Sequence, residues 1–453
     1  MNLNPQDTIV GCTCGEAAAK IKTRHAARSA ERVTLMEMKL SETIRILLEK
    51  GVRMPNPFSV SIGAEVDPER ISTAGVVLYG GTRITGEKTL IMAGAKLGQE
   101  APVVLDNCRL GENVELSGGF FAESVFLERV SIASGAQVRA GCLLEEEVKA
   151  GHTAGLKQTI LFPFVTLGSL INFCDVFMAG GTSRNNHSEV GSSYVHFNYT
   201  PNQDKATASL LGDVPRGVML REAPIFLGGQ GGLVGPARVG FGTVIAAGEV
   251  WNGDCPEGRK FLRMGRMPSV EKDFHPGFYG DIQKRVINNI LYCANLLALK
   301  QWYIHARNLF AGDVRHGDVL LEGAREVIEG AAAERIFRFR ALAQKMDRSI
   351  ELGRNLLPEE IRVKILRRQG ELRDRWGELE ESLTSLREEK VGERNRDEFL
   401  AALGDAQKAG AKDYPGTISF LDKEVAARGT VWMQAVVDDV FGRALSTLPS
   451  FGD

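Results

Sequence analysis

Between residues 53 and 270, aliphatic side chains recur every six positions. Leu78, Ile84 and Leu90 form one run, and Ile91, Leu97 and Val103 form another one register over. Val104, Leu110 and Leu116 continue the period, as do Ile132, Val138 and Leu144. The longest run is Leu227, Leu233, Val239, Ile245 and Trp251. Glycine follows several of these directly, as in Leu97-Gly98, Leu110-Gly111 and Val239-Gly240. A period of six is neither the 3.6 of a helix nor the 2 of a single-faced strand. It fits a short strand followed by a tight turn, with the aliphatic inward and a small residue at the corner. Three such sides close a triangular coil, and stacked coils bury one continuous aliphatic column. The fold expected is therefore mainly β, a left-handed parallel β-helix of hexapeptide repeats, with an ordinary β-sandwich as the alternative. Loops are expected to leave the coil where the period breaks, at Gly118 to Phe121 and at Thr182 to Asn186.

The flanks differ in character. Residues 1–52 read as a short helical segment, free of Gly and Pro from Glu16 to Lys50, with Met36, Leu40, Ile44 and Leu47 at helical spacing and Gly51 as a stop. Residues 280–453 read as an α-helical C-terminal domain. Ile282, Val286, Ile290, Cys293 and Leu297 mark one helical face. Pro358 opens a segment in which Ile365, Leu372, Trp376, Leu379, Leu383 and Leu386 approximate heptad positions, as a short coiled coil or, preferably, a helical hairpin on its own domain. Further helices are expected from about Asp397 to Gln407 and from Ile418 to Leu445. The charged surface of this domain suits docking of a protein partner.

Composition limits the function classes. With 55 Lys plus Arg against 57 Asp plus Glu, the chain has a net charge of −2, so neither nucleic acid nor an anionic membrane surface is an expected partner. No run approaches the ~18 apolar residues of a membrane span, and Met1 to Val10 lacks the basic and apolar regions of a signal peptide. The seven cysteines are scattered, and Cys12 and Cys14 are too close for a zinc knuckle. They read as free thiols in a reducing compartment, which makes the expected location cytoplasmic, and no metal is expected.

The chemistry is concentrated between Ile171 and Val250. This stretch holds Asn172-Phe173, Asn185 to Gly191 (N-N-H-S-E-V-G), Phe197 to Tyr199 (F-N-Y), Asp204-Lys205, Leu211 to Asp213 (L-G-D), Leu233 to Gly240 (L-V-G-P-A-R-V-G) and Val244 to Gly248 (V-I-A-A-G). His196 alternates with Tyr194 and Asn198, which puts all three on one side of a strand. A histidine of near-neutral pKa can take the proton that an amine loses on attacking a thioester.

This order of motifs resembles the β-helix half of the bacterial bifunctional enzymes that acetylate and then uridylylate glucosamine-1-phosphate, on the route to UDP-N-acetylglucosamine. The resemblance implies a coenzyme A-dependent N-acyltransferase on an amino sugar or sugar phosphate, with acetyl-CoA as co-substrate and a homotrimer whose sites lie between neighbouring prisms. It assigns His187 as general base. It places Asn186, Asn198, Tyr199 and Lys205 at the sugar. His196, from its alternation with Tyr194 and Asn198, is a candidate second base or substrate contact, and Lys157 is a candidate for the phosphate. Gly229, Ala246 and Ala247 fall where the family holds coenzyme A.

The departures are specific. The family's paired lysines after N-F are replaced by Cys174, Asp175, Val176 and Phe177, and its upstream arginine by Thr159. Either Lys157 or Arg184 substitutes, or the acceptor is not glucosamine-1-phosphate. Ser188, Glu189 and Val190 follow His187 where the family has a tyrosine. Gly80-Gly81-Thr82-Arg83 echoes the Gly-rich loop of the uridylyltransferase half but lies inside a hexad run, where it reads as a coil turn. Two other readings stand beside the acyltransferase: a non-catalytic β-helix scaffold with a partner-docking helical domain, and a nucleotidyltransferase-like role on sugar phosphates.

Overall fold

The structure is a computed structural model that describes residues 40–265, 269–311, 315–384, 390–409 and 413–452. Contacts divide the chain into residues 1–42 and 43–453, and the architecture below belongs to the second unit. Residues 53 to 262 form a parallel β-solenoid with three faces. Ten strands stack on face three, from Val77–Leu78 to Phe261–Leu262. Faces one and two form a single sheet because Gly155–Leu161 and Asn172–Met178 run round the corner between them.

The hexad aliphatics point inward as the period requires. Leu227, Leu233, Val239 and Ile245 line three successive faces, each almost wholly buried. Ile132, Val138 and Leu144 do the same further along, Val138 three coils after Ile84 on face one. Val104 is an exception: it faces outward, and Leu105 takes the core position, because Val103–Asp106 is a longer strand. The expected loop at Gly118 to Phe121 is also corrected. Gly119–Ala122 is the face-one strand of its coil, and Gly119 adopts φ +137 so that it can sit against the Ala136 backbone. The break at Thr182 to Asn186 does leave the coil, as an antiparallel hairpin of Gly181–Ser183 and Asn186–His187. Two longer excursions follow, at residues 198–208 and 212–225.

The helices are α1 (Glu42–Glu49), α2 (Val214–Gly217), α3 (Gln283–His305), α4 (Gly317–Ala343), α5 (Met346–Leu356), α6 (Glu359–Asp374), α7 (Trp376–Thr384), α8 (Glu393–Ala409), α9 (Tyr414–Phe420) and α10 (Lys423–Ser446). In α1, Ile44 and Leu47 are buried and Gly51 stops the helix at φ +102, while Met36 lies outside the described residues. The heptad-like positions of α6 and α7 pack on α3, α4, α5 and α10 of their own domain rather than as a two-helix coiled coil, though Leu386 lies outside the described residues. The single helix expected from Ile418 to Leu445 is two. Asp422 breaks it, because its side chain accepts a hydrogen bond from Val425 N at 2.8 Å and starts α10 as an N-cap.

Face two is covered by the chain's own helices. α4 lies along strands Arg109–Leu110, Ser124–Phe126 and Cys142–Leu144, and α3 meets Ser209–Leu211. The outward residues of this face are accordingly apolar and buried, as at Val125, Leu143, Ile160 and Phe177. A side chain of this kind contributes about 1.5–3 kcal/mol when fully removed from water. Charged groups on the same seam are paired. Arg109 Nη2 lies 3.2 Å from Glu326, Arg307 pairs with Glu146, and Arg335 Nη2 donates to Asp175 Oδ1 at 2.7 Å. Tyr303 donates to Glu145 at 2.5 Å, and burial pushes the Glu145 carboxyl up to about 8. The five described cysteines are free and buried. Among the described residues no helix is long and apolar enough to cross a membrane, and no group of three or more His, Cys, Asp and Glu could hold a metal ion.

Candidate functional site

The corner between faces one and two follows one local rule. Asn107, Glu123, Gly141 and Gln158 take positive φ there, and a small hydrogen-bonding residue comes next. That residue turns inward and donates back to a carbonyl just before the corner. Ser124 Oγ reaches Ala122 O at 2.8 Å, Cys142 Sγ reaches Arg139 O at 3.2 Å, and Thr159 Oγ1 reaches Lys157 O at 3.0 Å. In the next coil Asp175 takes φ +63, but Val176 follows it and has nothing to donate. The orphaned carbonyl, Cys174 O, is met instead by His196 Nδ1 at 2.6 Å from the coil above.

This fixes the role of His196. A carbonyl only accepts, so Nδ1 carries the proton. Nε2 lies 2.8 Å from Ser209 Oγ, which itself accepts from Ala237 N and so donates its own proton to Nε2. The ring is 3% exposed, and burial pushes it down to about 4. Both nitrogens are occupied inside the solenoid. The expected substrate contact is therefore corrected: His196 is a neutral core residue that replaces a missing hydroxyl.

Outside the same corner, three cations converge. Arg139 and Lys157 stand one above the other on face one, with Cys174 in register with Lys157 in the next coil. Arg139 Nη2 is 3.5 Å from Cys174 Sγ. Lys205 descends from the 198–208 loop, with its ammonium 5.5 Å from the centre of the Tyr199 ring. Burial pushes the Cys174 thiol up, while Arg139, Lys205 and Lys157 are close enough to pull it down. Among the described residues, none of these three cations forms an ion pair with a carboxylate, although like charges stacked on adjacent coils repel. A depression of about 370 Å³ adjoins Arg139 on face one. Gly155 leaves its floor open, and Gln137 and Asn172 form its walls.

The loop that carries Lys205 is held from several sides. Asn198 Nδ2 donates to Asp175 Oδ2 at 2.7 Å, and Thr207 Oγ1 donates to Asn198 O at 2.7 Å. Asp204 is buried and accepts from Thr200 Oγ1 at 2.6 Å and Tyr279 OH at 2.8 Å. Tyr199 is 63% exposed, so its ring is open to a ligand.

The other expected residues lie elsewhere on the prism. His187 stands on the hairpin at the corner between faces two and three. Gly181 closes that hairpin at φ +96, where a Cβ would be 2.5 Å from Asn186 O. Asn186 donates to Thr182 Oγ1 at 2.8 Å. The His187 ring is half-buried with Nδ1 shielded from solvent, and desolvation, then the Arg184 charge, hold it below the usual histidine range. Arg184 donates to Glu147 O and Thr166 Oγ1, so it does not join the cation cluster. Gly229, Ala246 and Ala247 occupy the third corner, where a Cβ on Gly228 would be 2.3 Å from Ala247 N. Within one chain, then, Lys157, Asn198, Tyr199 and Lys205 come together, while His187 with Asn186, and Gly229 with Ala246 and Ala247, each occupy a separate corner.

Sequence reasoning missed Arg139 and the pairing of Asp175 with Arg335. Arg139 was detectable as the outward neighbour of the hexad residue Val138. The pairing spans 160 positions and leaves no local signal. A larger cleft of about 700 Å³ runs beside α4, but Glu65, Asp106, Glu123 and Glu326 on its walls make it unsuited to an anion.

No protein-family profile matches the chain. It is 27% identical over 247 residues to the bifunctional protein GlmU of Thermotoga maritima, covering 53% of this chain and 48% of that protein. The chain resembles GlmU proteins. The GlmU of Streptococcus suis is 27% identical over 264 residues, 56% of this chain and 50% of its own length. That of Nitratidesulfovibrio vulgaris is 25% identical over 271 residues, 58% and 52% respectively. The chain thus spans about half the length of the curated GlmU relatives it matches.

Proposed function

We propose that this protein is a coenzyme A-dependent N-acyltransferase whose acceptor is a phosphorylated amino sugar, as in the acetyltransferase half of GlmU-like enzymes. The observation that carries this reading is the unpaired cluster of Arg139, Lys157 and Lys205 beside an amide-walled depression. Guanidinium and ammonium groups left without carboxylates suit a phosphate, which accepts several charge-assisted hydrogen bonds. Gln137 and Asn172 supply donors and acceptors for sugar hydroxyls, and the exposed Tyr199 ring offers an apolar face.

His187 is the proposed general base. Desolvation keeps its imidazole neutral near pH 7, the form that accepts a proton. The acceptor amine attacks the acetyl-CoA thioester carbonyl and gives its proton to His187. The C–S bond then breaks, and the departing thiolate takes up a proton as free coenzyme A. Backbone N–H groups at the Gly-rich corner of Gly229, Ala246 and Ala247 are suited to the oxyanion or the cofactor. These groups occupy three corners of one prism, so the site requires a corner of one chain to meet a face of its neighbour. A homotrimer would supply this, and its contacts would use faces one and three because helices cover face two.

The test is thiol release from acetyl-CoA with glucosamine-1-phosphate. Acceptor-dependent release that is lost in His187→Ala supports the reading. Arg139→Ala and Lys157→Ala should each raise the acceptor KM by about tenfold, the worth of one charge-assisted contact. The separation of His187 from Asn198 and Lys205 favours the second reading, a non-catalytic scaffold. That reading takes over if there is no turnover and calorimetry detects no binding of coenzyme A.

A further inference from the structure

The C-terminal helical domain has a contact that neither the solenoid fold nor the acyl-transfer reading requires. Arg335 lies on α4 and is 2% exposed. Its Nη2 donates to Asp175 Oδ1 at 2.7 Å, and its Nη1 donates to Lys205 O at 3.3 Å. The second oxygen of Asp175 accepts from Asn198 Nδ2 at 2.7 Å. One guanidinium therefore grips the 198–208 loop at two points: Asn198 through Asp175, and Lys205 directly. Asp175 also follows Cys174, around which the three cations gather, at a corner of φ +63.

Other groups, from the helical domain and from the segment just before α3, hold the rest of the loop. Tyr279 OH donates to Asp204 Oδ2 at 2.8 Å, Asn289 Nδ2 donates to Ala206 O at 3.0 Å, and Lys345 donates to Asn202 O. Gly277 N donates to Asn202 Oδ1 at 2.9 Å. Every one of these partners lies beyond residue 270. The loop has no strand of its own and is anchored mainly by a domain far away in sequence.

We propose that Arg335 is a positioning residue: through it the helical domain sets the conformation of the 198–208 loop and so places Lys205 and Tyr199 in the ligand site. The consequence for Lys205 and Tyr199 rests on the proposed site, whereas the hold on the loop does not. A guanidinium suits this role because its planar fork reaches a carboxylate and a carbonyl at once, which an ammonium cannot match in the same geometry. The helical domain then has an internal purpose, making the site's most exposed loop dependent on the seating of α4.

Removing Arg335 alone would strand a buried carboxylate and endanger folding. The decisive variant is therefore the double Arg335→Met, Asp175→Asn, which removes both charges, with Arg335→Lys as the conservative comparison. Amide hydrogen exchange is read on the full, unliganded chain. The expected result is exchange about tenfold faster in residues 198–208, with residues 226–251 unchanged and Arg335→Lys intermediate. Unchanged exchange in the loop overturns the proposal, as does acceleration spread evenly over the solenoid, which would mark a general structural role. If the wild type acetylates glucosamine-1-phosphate, the double variant should raise the acceptor KM by about tenfold and leave kcat within about threefold. An equal fall in kcat and kcat/KM would overturn the positioning role. A wild type without turnover would sink the acyltransferase reading but leave the exchange result to decide the hold on the loop.

Discussion

His196 makes the stability of the solenoid depend on pH in a direction that can be worked out. Its folded pKa, about 4, lies below the ordinary histidine value of about 6.5, so the unfolded chain binds the proton first as pH falls. The contribution is fully present above about 6.5 and is lost toward 4, a swing of roughly 3–4 kcal/mol at about 1.4 kcal/mol per pKa unit. Glu145 acts in the opposite sense. Its carboxyl, raised to about 8, favours the fold at low pH and loses that contribution as pH rises from 4.5. The measurement is therefore a comparison: the gap in melting temperature between wild type and His196→Gln should narrow as pH falls from 7 to 4.5. A constant gap would mean that the ring is not buried neutral. His187 should appear in kinetics instead. Its lowered pKa predicts an acid limb of kcat/KM below 6.5, and His187→Ala should lose kcat by about 10²–10⁴-fold, the usual worth of a general base.

At the scale of elements, helix α10 depends on its cap. Asp422→Ala leaves Val425 N without its partner and should cost about 1 kcal/mol, seen as a lower urea midpoint with unchanged slope. The same Asp422 shows why the expected single helix was wrong: an apolar period runs through it, but the cap outweighs the period. The solenoid was legible because six-residue spacing has few physical solutions. What went unread was the doublets Val125-Phe126, Leu143-Leu144, Ile160-Leu161 and Phe177-Met178. Both members are buried, the inner one in the core and the outer one under α3 and α4. A strand apolar on both sides is one covered on both sides. The candidate site was legible in part. Asn198, Tyr199 and Lys205, expected from the resemblance, lie in one region with Lys157. His196 was misplaced because alternation shows which residues share a side, not which side faces the core.

For the whole molecule, the covered face constrains assembly and solubility. A chain ending at residue 265 would expose the outer doublets of face two, a contiguous apolar strip of the kind that drives association. It should bind a hydrophobic dye and elute as aggregates, whereas a soluble monodisperse product would show that α3 and α4 are dispensable covers. The helical layer also changes how a solenoid comes apart. Stacked repeats interact only with their neighbours and tend to unravel from one end. Here a single helix, α4, is tied to an early coil through Glu326 and Arg109 and to a late one through Arg335 and Asp175. It acts as a splint laid across a stack of coins. Fraying that starts at either end must stop at the first tie or break both, so the coils between them open together or not at all.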